Sequence, residues 1–337
     1  MTIEEHIDRL HRHGVIDMHF DLPMDLYEKR RRSDVLTSDF LAEMRAGDIG
    51  VAGVAIYIED DYLPEMALRV ALSQIARLEV EVERTPDFAI CCSHTEILAA
   101  RQSGQIALLI TIEGVEPLGG DPDMLRIFHR LGVRSLGLTH ARRNLAGEGG
   151  VFAPSGSSSQ GLTAHGKELV RLCEQLGIIV DLAHLNPAGF DDVLAMKTGP
   201  VIISHTNPRA FFDIERNSSA EQMVRVAERG GVIGLGAVLL SNERSKATAD
   251  GFVDQIEYLA ELVGIDYVGL GFDFCKFLID QRPAMALPAF DVFFPPDLSD
   301  HSFVRNVTRK LIARGFDDED IEKILHGNWM RLFGEHL

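Results

Sequence analysis

Histidine and carboxylate side chains recur in this sequence at one kind of position, the carboxyl end of an apolar segment. His19 and Asp21 lie two residues apart at the end of the run 14–22, so both side chains point to the same side and can reach one ion. An H-x-D pair alone is weak evidence, because such pairs are common by chance. The same placement recurs at Glu113, His140, His184, His205 and Asp273.

A set of this composition indicates a metal centre. Carboxylates and imidazoles that converge at one mouth repel each other or stay without partners unless cations organise them. Imidazole nitrogen with carboxylate oxygen suits zinc ahead of manganese, cobalt or iron. Five such ligands, one of them a bridging glutamate, can hold two ions about 3.5 Å apart and activate a shared water, so the pattern predicts hydrolysis.

The apolar segments themselves predict the elements that position these side chains. Their continuous β-branched and glycine-containing character is typical of strands buried on both faces, as in a parallel sheet. The segments lie at 14–22, 49–58, 106–114, 133–140, 177–184, 200–206, 230–239 and 267–274. Stretches with helical periodicity separate these segments. Thr163 and Ser218 each precede one such stretch and are suitable as its N-cap.

Strand and helix alternate about eight times, which predicts an α/β fold, the (β/α)8 TIM barrel of metallo-dependent hydrolases. The strand ends of such a barrel meet at one rim, where the active sites of this fold lie. A doubly wound open sheet is the alternative, because alternation alone does not show closure.

Length and composition bound the interpretation further. The 337 residues fit one barrel domain, 1–337, with insertions, of which 153–161 and 282–297 are the predicted long loops. A formal charge of -18 disfavours nucleic acid and anionic membranes as partners. The four scattered cysteines, the lack of a secretory signal and the lack of a membrane-spanning stretch predict a cytoplasmic protein.

Successive motifs resemble those of the membrane, or renal, dipeptidase family of zinc metallopeptidases. They occur in the family's order, from about residue 15 to the closing GFDDEDIEKILHGNWMRLF, and so cover nearly the whole chain. The motifs are DMHFDLP, TIEGV, LTHARRNLAGEG, GLTAHGKELVRLCEQLGIIVDLAH, PVIISHTNPRA followed by ERN, and VGLGFDF.

The resemblance implies a role for each residue. His19 and Asp21 would hold one of two zinc ions, His184 and His205 would hold the other, and Glu113 would bridge both. Three further residues would act on the substrate: His140 on the scissile carbonyl and its oxyanion, Arg216 on the terminal carboxylate, and Asp273 on the amino end or the moving proton.

The implied function is hydrolysis of a dipeptide amide by a homodimer, through a metal-activated water, with a D-residue tolerated on the carboxyl side. Arginine at position 216 suits carboxylate recognition because guanidinium offers a bidentate fork. The residues alone leave a surface salt bridge as the alternative for Arg216, since ERN lies in a polar segment.

The chain departs from the family at positions near the predicted ligands. Phe20 replaces the usual asparagine, Cys275 and Lys276 replace the usual Asp-Gly after Asp273-Phe274, and 53–57 is mostly apolar and small. None of these residues is a proposed ligand. Neighbours of ligands shape the space above the metals, so we expect the departures to affect the choice of dipeptide or small amide.

Two other hypotheses compete with the dipeptidase. An amidohydrolase-type barrel acting on another small amide or ester usually bridges its metals with a carboxylated lysine, whereas this chain offers Glu113 and no lysine at the neighbouring strand ends. A catalytically silent barrel that only binds has no chemical need for a bridging carboxylate.

Overall fold

A computed structural model describes residues 2–152, 160–197, 199–281 and 293–337. Most of the two predicted long loops, 153–161 and 282–297, therefore lies outside the described residues. In the described part of the chain, no helix combines the length and the apolar character needed to cross a bilayer.

The described residues contain nine strands, and every pairing between them is parallel. They are β1 Val15–Phe20, β2 Ile49–Tyr57, β3 Phe88–Ile90, β4 Ile106–Glu113, β5 Val133–Gly137, β6 Ile179–Asp181, β7 Ile203–Thr206, β8 Ile233–Leu235 and β9 Val268–Leu270. One run of neighbours is β1-β2-β4-β5-β6 and a second is β7-β8-β9.

Backbone hydrogen bonds join these two runs at both ends. Between β6 and β7, Leu182 N donates to Ile202 O at 2.8 Å and Ile202 N donates to Val180 O at 3.1 Å. Between the end of β9 and β1, Asp273 N donates to His19 O at 3.2 Å. The eight predicted strands thus close into a (β/α)8 barrel, and the open-sheet alternative is wrong.

Strand β3 is an addition to the predicted set. Its three residues pair only with the start of β4, where Phe88 lies opposite Ile106. A strand this short lacks the length on which a hydrophobic pattern depends, which explains why the sequence did not indicate it.

Helices follow the strands and cover the outside of the barrel. They are α1 Ile3–Leu10, α2 Leu22–Glu28, α3 Ala42–Ala46, α4 Ala67–Arg84, α5 His94–Gln102, α6 Met124–Arg130, α7 Ala164–Leu176, α8 Pro187–Met196, α9 Ala220–Ala227, α10 Ala249–Val263, α11 Lys276–Gln281, α12 Val304–Ala313, α13 Asp318–Glu322 and α14 Asn328–His336.

The predicted caps hold in one case and shift in the other. The Thr163 side chain accepts from Gly166 N at the start of α7, as expected. Helix α9 is capped by Ser219 and not by Ser218, because Gln222 stands three residues after Ser219 and completes a capping box. The Ser218 hydroxyl instead hydrogen-bonds Thr206 Oγ1 at 3.0 Å.

Alternate residues of the strands fill the two sides of the barrel wall. On β4, Ile106, Leu108, Ile110 and Ile112 pack toward the helices, whereas Ala107 and Leu109 belong to a separate inner cluster with Ile16, Met18 and Trp329. Trp329 of α14 is fully buried and donates from Nε1 to Leu270 O at 3.1 Å. Glu113 continues the inward-facing series of Leu109, so its side chain points into the barrel at the carboxyl-terminal rim.

Candidate metal centre

The structure places seven of the eight predicted site residues at or just beyond the carboxyl ends of strands, and the eighth, Arg216, follows β7 by ten residues. His19, Glu113 and His205 lie within the last residues of β1, β4 and β7, and the others lie just beyond a strand. These others are Asp21 after β1, His140 after β5, His184 after β6 and Asp273 after β9.

Three ligand atoms form a triangle with edges close to those of a zinc site. Glu113 Oε1 is 2.9 Å from His184 Nε2 and 3.4 Å from His205 Nε2, and the two histidine nitrogens are 3.0 Å apart. Tetrahedral zinc with bonds of about 2.0–2.1 Å places neighbouring ligand atoms about 3.3 Å apart. One ion fits above this face.

A second group shares Glu113 with the first. His19 Nε2 lies 3.7 Å from Asp21 Oδ1 and 3.8 Å from Glu113 Oε1. The ligand atoms of His19, Asp21 and Glu113 all lie within 4.8 Å of one another. Asp21 Oδ1 is buried without a hydrogen-bond partner in the described part of the chain, which is the condition a cation would relieve. The donor set therefore fits a metal on each side of Glu113.

Protonation of His184 and His205 agrees with metal ligation, whereas the charges of Glu113, Asp21 and Asp273 outweigh burial and raise the pKa of His19. Burial holds the pKa of His184 and of His205 well below the usual value, and the positive charge of nearby Arg216 lowers the pKa of both further. Both imidazoles are consequently neutral near pH 7, the form in which histidine binds a metal. Ser204 Oγ lies 2.8 Å from His205 Nδ1 and so directs Nε2 toward the centre.

The carboxyl groups differ in their surroundings. Burial raises the pKa of Asp21 to about 8 and that of Asp273 to about 6. Burial acts in the same direction on Glu113, but the neighbouring His19 and His184 outweigh it and lower the pKa of Glu113. Glu113 is accordingly the permanent negative charge at the middle of the site.

Two site residues hold their backbone in the left-handed region. His184 has φ 61° and Asp273 has φ 59°. Such conformations cost on the order of 1–3 kcal/mol for residues other than glycine and persist where surrounding structure fixes them. Here each turns its side chain from the strand end back over the barrel mouth.

His140 stands beside the ligands and is covered by a tyrosine. Its ring lies 4.3 Å from that of His184 and 4.6 Å from that of Tyr57, measured between centroids. Burial lowers the pKa of His140 to about 4, so this imidazole is also neutral near pH 7. A neutral imidazole can donate one N–H to a carbonyl oxygen.

Tyr57 and Arg142 were missed by the sequence analysis as site residues. Arg142 Nη1 donates to Tyr57 Oη at 2.8 Å, and Arg142 Nε donates to Glu116 Oε1 at 2.7 Å. The available signals were a hydroxyl-bearing aromatic at the end of the second strand and an arginine two residues after His140. Tyr57 was instead grouped with its small apolar neighbours.

Arg216 is a buried residue of the site. Only 5% of it is exposed, its Nη2 donates to His205 O at 3.4 Å, and its Nε and Nη1 are buried without a hydrogen-bond partner in the described part of the chain. The alternative of a surface salt bridge is therefore wrong. The two nitrogens without partners, Nε and Nη1, are donors that a carboxylate could satisfy.

The departures from the family pattern separate into two kinds. Phe20 is fully buried against Phe40 and Phe277, with ring centroids 5.6 Å away in each case, so it packs toward the helices and not above the metal centre. Cys275 packs against two apolar clusters, one containing Tyr57 and the other containing Phe212. Of these two residues only Cys275 borders the site, and in the third departure, 53–57, Tyr57 covers His140.

Comparison with known proteins decides the family. The family model of the membrane dipeptidases, peptidase family M19, matches residues 4–336. This chain belongs to the membrane dipeptidase family. As a member of that family it is a dipeptidase, a hydrolase that acts on peptide bonds, and the family is one of metallopeptidases.

Known dipeptidases resemble this chain both in sequence and in structure. It is 29% identical to dipeptidase tcpJ from Claviceps purpurea over 310 residues, which cover 88% of this chain and 68% of that protein. A metallopeptidase from Rhodobacter sphaeroides, solved with a phosphinate mimic of the dipeptide L-Ala-D-Ala, superposes with a TM-score of 0.85 at 26% identity, over 96% of this chain and 99% of the other. The M19 dipeptidase AC superposes with a TM-score of 0.84 at 27% identity, over 96% and 98% of the two chains.

Proposed function

We propose that this chain is a binuclear zinc dipeptidase. The observation that supports it best is the triangle of Glu113 Oε1, His184 Nε2 and His205 Nε2, with edges of 2.9–3.4 Å, joined through Glu113 to His19 and Asp21. Bound zinc ions would polarise the scissile carbonyl and activate the water that attacks it.

The proposed roles of the protein side chains follow from their surroundings. Neutral His140 donates an N–H to the carbonyl oxygen and stabilises the charge that develops there. Arg216 binds the terminal carboxylate, and its Nε and Nη1 are buried without a hydrogen-bond partner in the described part of the chain. Asp273, whose pKa burial raises to about 6, accepts a proton near neutral pH and passes it to the departing amine.

A D-residue at the carboxyl side of the dipeptide is the proposed substrate preference. The support for this proposal is that the Rhodobacter sphaeroides neighbour was solved with a mimic of L-Ala-D-Ala. We expect kcat/KM for L-Ala-D-Ala to equal or exceed that for L-Ala-L-Ala. Hydrolysis of the L,L substrate alone would contradict this part of the proposal.

Metal analysis tests the centre itself. Protein purified with zinc present should contain two zinc ions per chain by elemental analysis, whereas His205→Ala should lose the ion held by His184 and His205. Arg126→Ala, an exposed arginine on α6, is the matched control and should keep both ions. One tightly held ion in the parent protein would refute the binuclear centre.

The proposal extends to the assembly and its location. We propose one barrel domain over 1–337, a homodimer, and a cytoplasmic enzyme, and the free state of Cys91, Cys92, Cys173 and Cys275 supports a reducing compartment. Light scattering tests the dimer, and cell fractionation tests the location.

A further inference from the structure

A cavity lies at the end of the barrel opposite the metal centre. It has a volume of about 730 Å³, and its lining includes residues that immediately precede strands, Gly14 before β1, Asp48 before β2 and Gln105 before β4. His326 and Met330 near the C-terminus close one side. We call it the basal cleft. Its volume falls within the range of small-molecule sites, about 300–1,000 Å³.

Positive charge is concentrated in the basal cleft although the chain as a whole carries -18. Arg12, Arg45 and Arg101 line it, and Asp48 is the only carboxylate among its described lining residues. That carboxylate is already engaged, since Asp48 Oδ2 lies 3.0 Å from His11 Nδ1 and accepts from Arg305 at 2.7 Å. Arg45 donates to Asp87 at 2.9 Å, so Arg12 and Arg101 are the lining arginines that no carboxylate pairs with among the described residues.

Arg101 is the cation that is held most firmly in place. Its Nε donates to His13 O at 2.7 Å and its Nη2 donates to the same oxygen. Among the described residues no carboxylate forms an ion pair with Arg101, and burial lowers its pKa without any opposing carboxylate. Arg12 is exposed and likewise forms no ion pair in the described part of the chain. A partly buried guanidinium in this state gains most from an external oxyanion.

A histidine supplies a further donor at the same wall. His326 Nε2 is buried without a hydrogen-bond partner in the described chain, and its ring meets the edge of His13 at 5.6 Å. Burial, together with the charge of Arg101, lowers the pKa of His326 to about 4. Its neutral ring can donate one N–H to an oxyanion.

We propose that the basal cleft binds a small molecule bearing oxyanion groups, either a phosphate ester or a dicarboxylate, through Arg101 and Arg12. The Nε and Nη2 of Arg101 stay on His13 O, so its Nη1 side takes one oxyanion, and exposed Arg12 takes a second at the entrance. The site is separate from the metal centre and does not depend on the proposed function, because it is built from the opposite ends of the strands.

Calorimetric titration of the full-length, zinc-loaded protein tests the basal cleft. The probes are inorganic phosphate, glycerol 3-phosphate and succinate, which distinguish the phosphate source from the dicarboxylate source. We expect one of them to bind with a Kd below about 1 mM and to raise the Tm. Arg101→Gln and Arg12→Gln should each weaken that binding about tenfold, the effect of losing a charged contact.

Two control variants decide where the probe binds. Arg126→Gln removes an exposed arginine of α6 and should bind as the parent does. Arg216→Ala alters the metal-centre end and should also keep the binding. Loss of binding in Arg216→Ala with retention in Arg101→Gln would overturn the proposal, as would unchanged affinity in both Arg101→Gln and Arg12→Gln, or no binding of any probe at about 10 mM. Exposed Arg12 forms no ion pair with any residue that the structure describes, so its variant keeps the test valid if Arg101→Gln fails to fold.

Discussion

Glu113 is the residue on which both halves of the proposed metal centre depend. Its Oε1 lies within 3.8 Å of His19, His184 and His205. Glu113→Gln removes a negative charge from both ions, so we expect kcat to fall to background. Steady-state kinetics with parallel elemental analysis measure this effect. A variant with near-normal kcat and both metals bound would show that Glu113 is not the bridge.

Arg216 should determine recognition of the free carboxyl group. Arg216→Ala should keep its metal content yet lose about 2–5 kcal/mol of transition-state stabilisation, the range for truncating one partner of a buried charge pair. A dipeptide presents few groups, so binding at its two termini must orient the amide. The measurement is kcat/KM for matched free-acid and amidated dipeptides in parent and variant.

Each outcome of that comparison has a distinct meaning. The parent enzyme should discriminate strongly against amidated dipeptides, and Arg216→Ala should discriminate little. Equal discrimination in both proteins would place the carboxylate pocket elsewhere. Efficient cleavage of amides by the parent would instead favour the broader amidohydrolase hypothesis.

Among the strands and helices, polar residues at the ends of strands could be predicted from the sequence. Contacts between residues far apart in the sequence could not. Glu113 was found because β4 is a continuous apolar run that ends in a carboxylate, and such a break in pattern is visible in a single sequence. His301 was not found, although it lies 2.8 Å from Asp17, because 284 residues separate the two. The burial of Arg216 was also hidden, since its polar neighbours Glu215 and Asn217 suggested a surface segment.

Strand β7, which carries His205, packs closely against the backbone at Gly271. A Cβ on Gly271 would lie 1.8 Å from Ser204 O, so only glycine fits there. Gly271→Ala should push β7 outward, lower the free energy of unfolding by about 1–3 kcal/mol and weaken the ion bound by His205. Denaturant unfolding and zinc titration measure the two effects. Gly120→Ala, whose Cβ would meet nothing within 4 Å, is the control.

For the whole molecule, the seam between the first and last strands is held by one buried carboxylate. Asp17 accepts from His19 N at 3.2 Å and from Phe272 N at 2.8 Å, and it lies 2.8 Å from His301 Nε2. Burial acts to lower the pKa of His301, but the hydrogen bond to Asp17 and the nearby negative charge of Glu43 outweigh it and raise this pKa to about 9. The protonated histidine therefore stabilises the closed barrel.

Stability should consequently decline in alkaline solution. The folded pKa of His301, about 9, exceeds the unfolded value of 6.5, so its contribution is complete below pH 6.5 and is lost as the pH rises through 9. Urea unfolding of the parent between pH 6 and pH 10 should show a falling free energy of unfolding, with a shallower fall in His301→Gln. Parallel curves for the two proteins would exclude His301 as the source.

The pairing of the first strand with the last also determines when the barrel can close during synthesis on the ribosome. All five proposed ligands, from His19 to His205, are synthesised before β9 at Val268–Leu270. A nascent chain that has not reached β9 therefore holds every ligand but leaves β1 and β8 with unpaired edges. Because β1 pairs with residues more than 250 positions later, such as Phe272, we expect closure of the barrel around the metal centre to wait until β9 has been synthesised. The exposed edges of the unfinished barrel are then the surfaces that chaperones would have to protect.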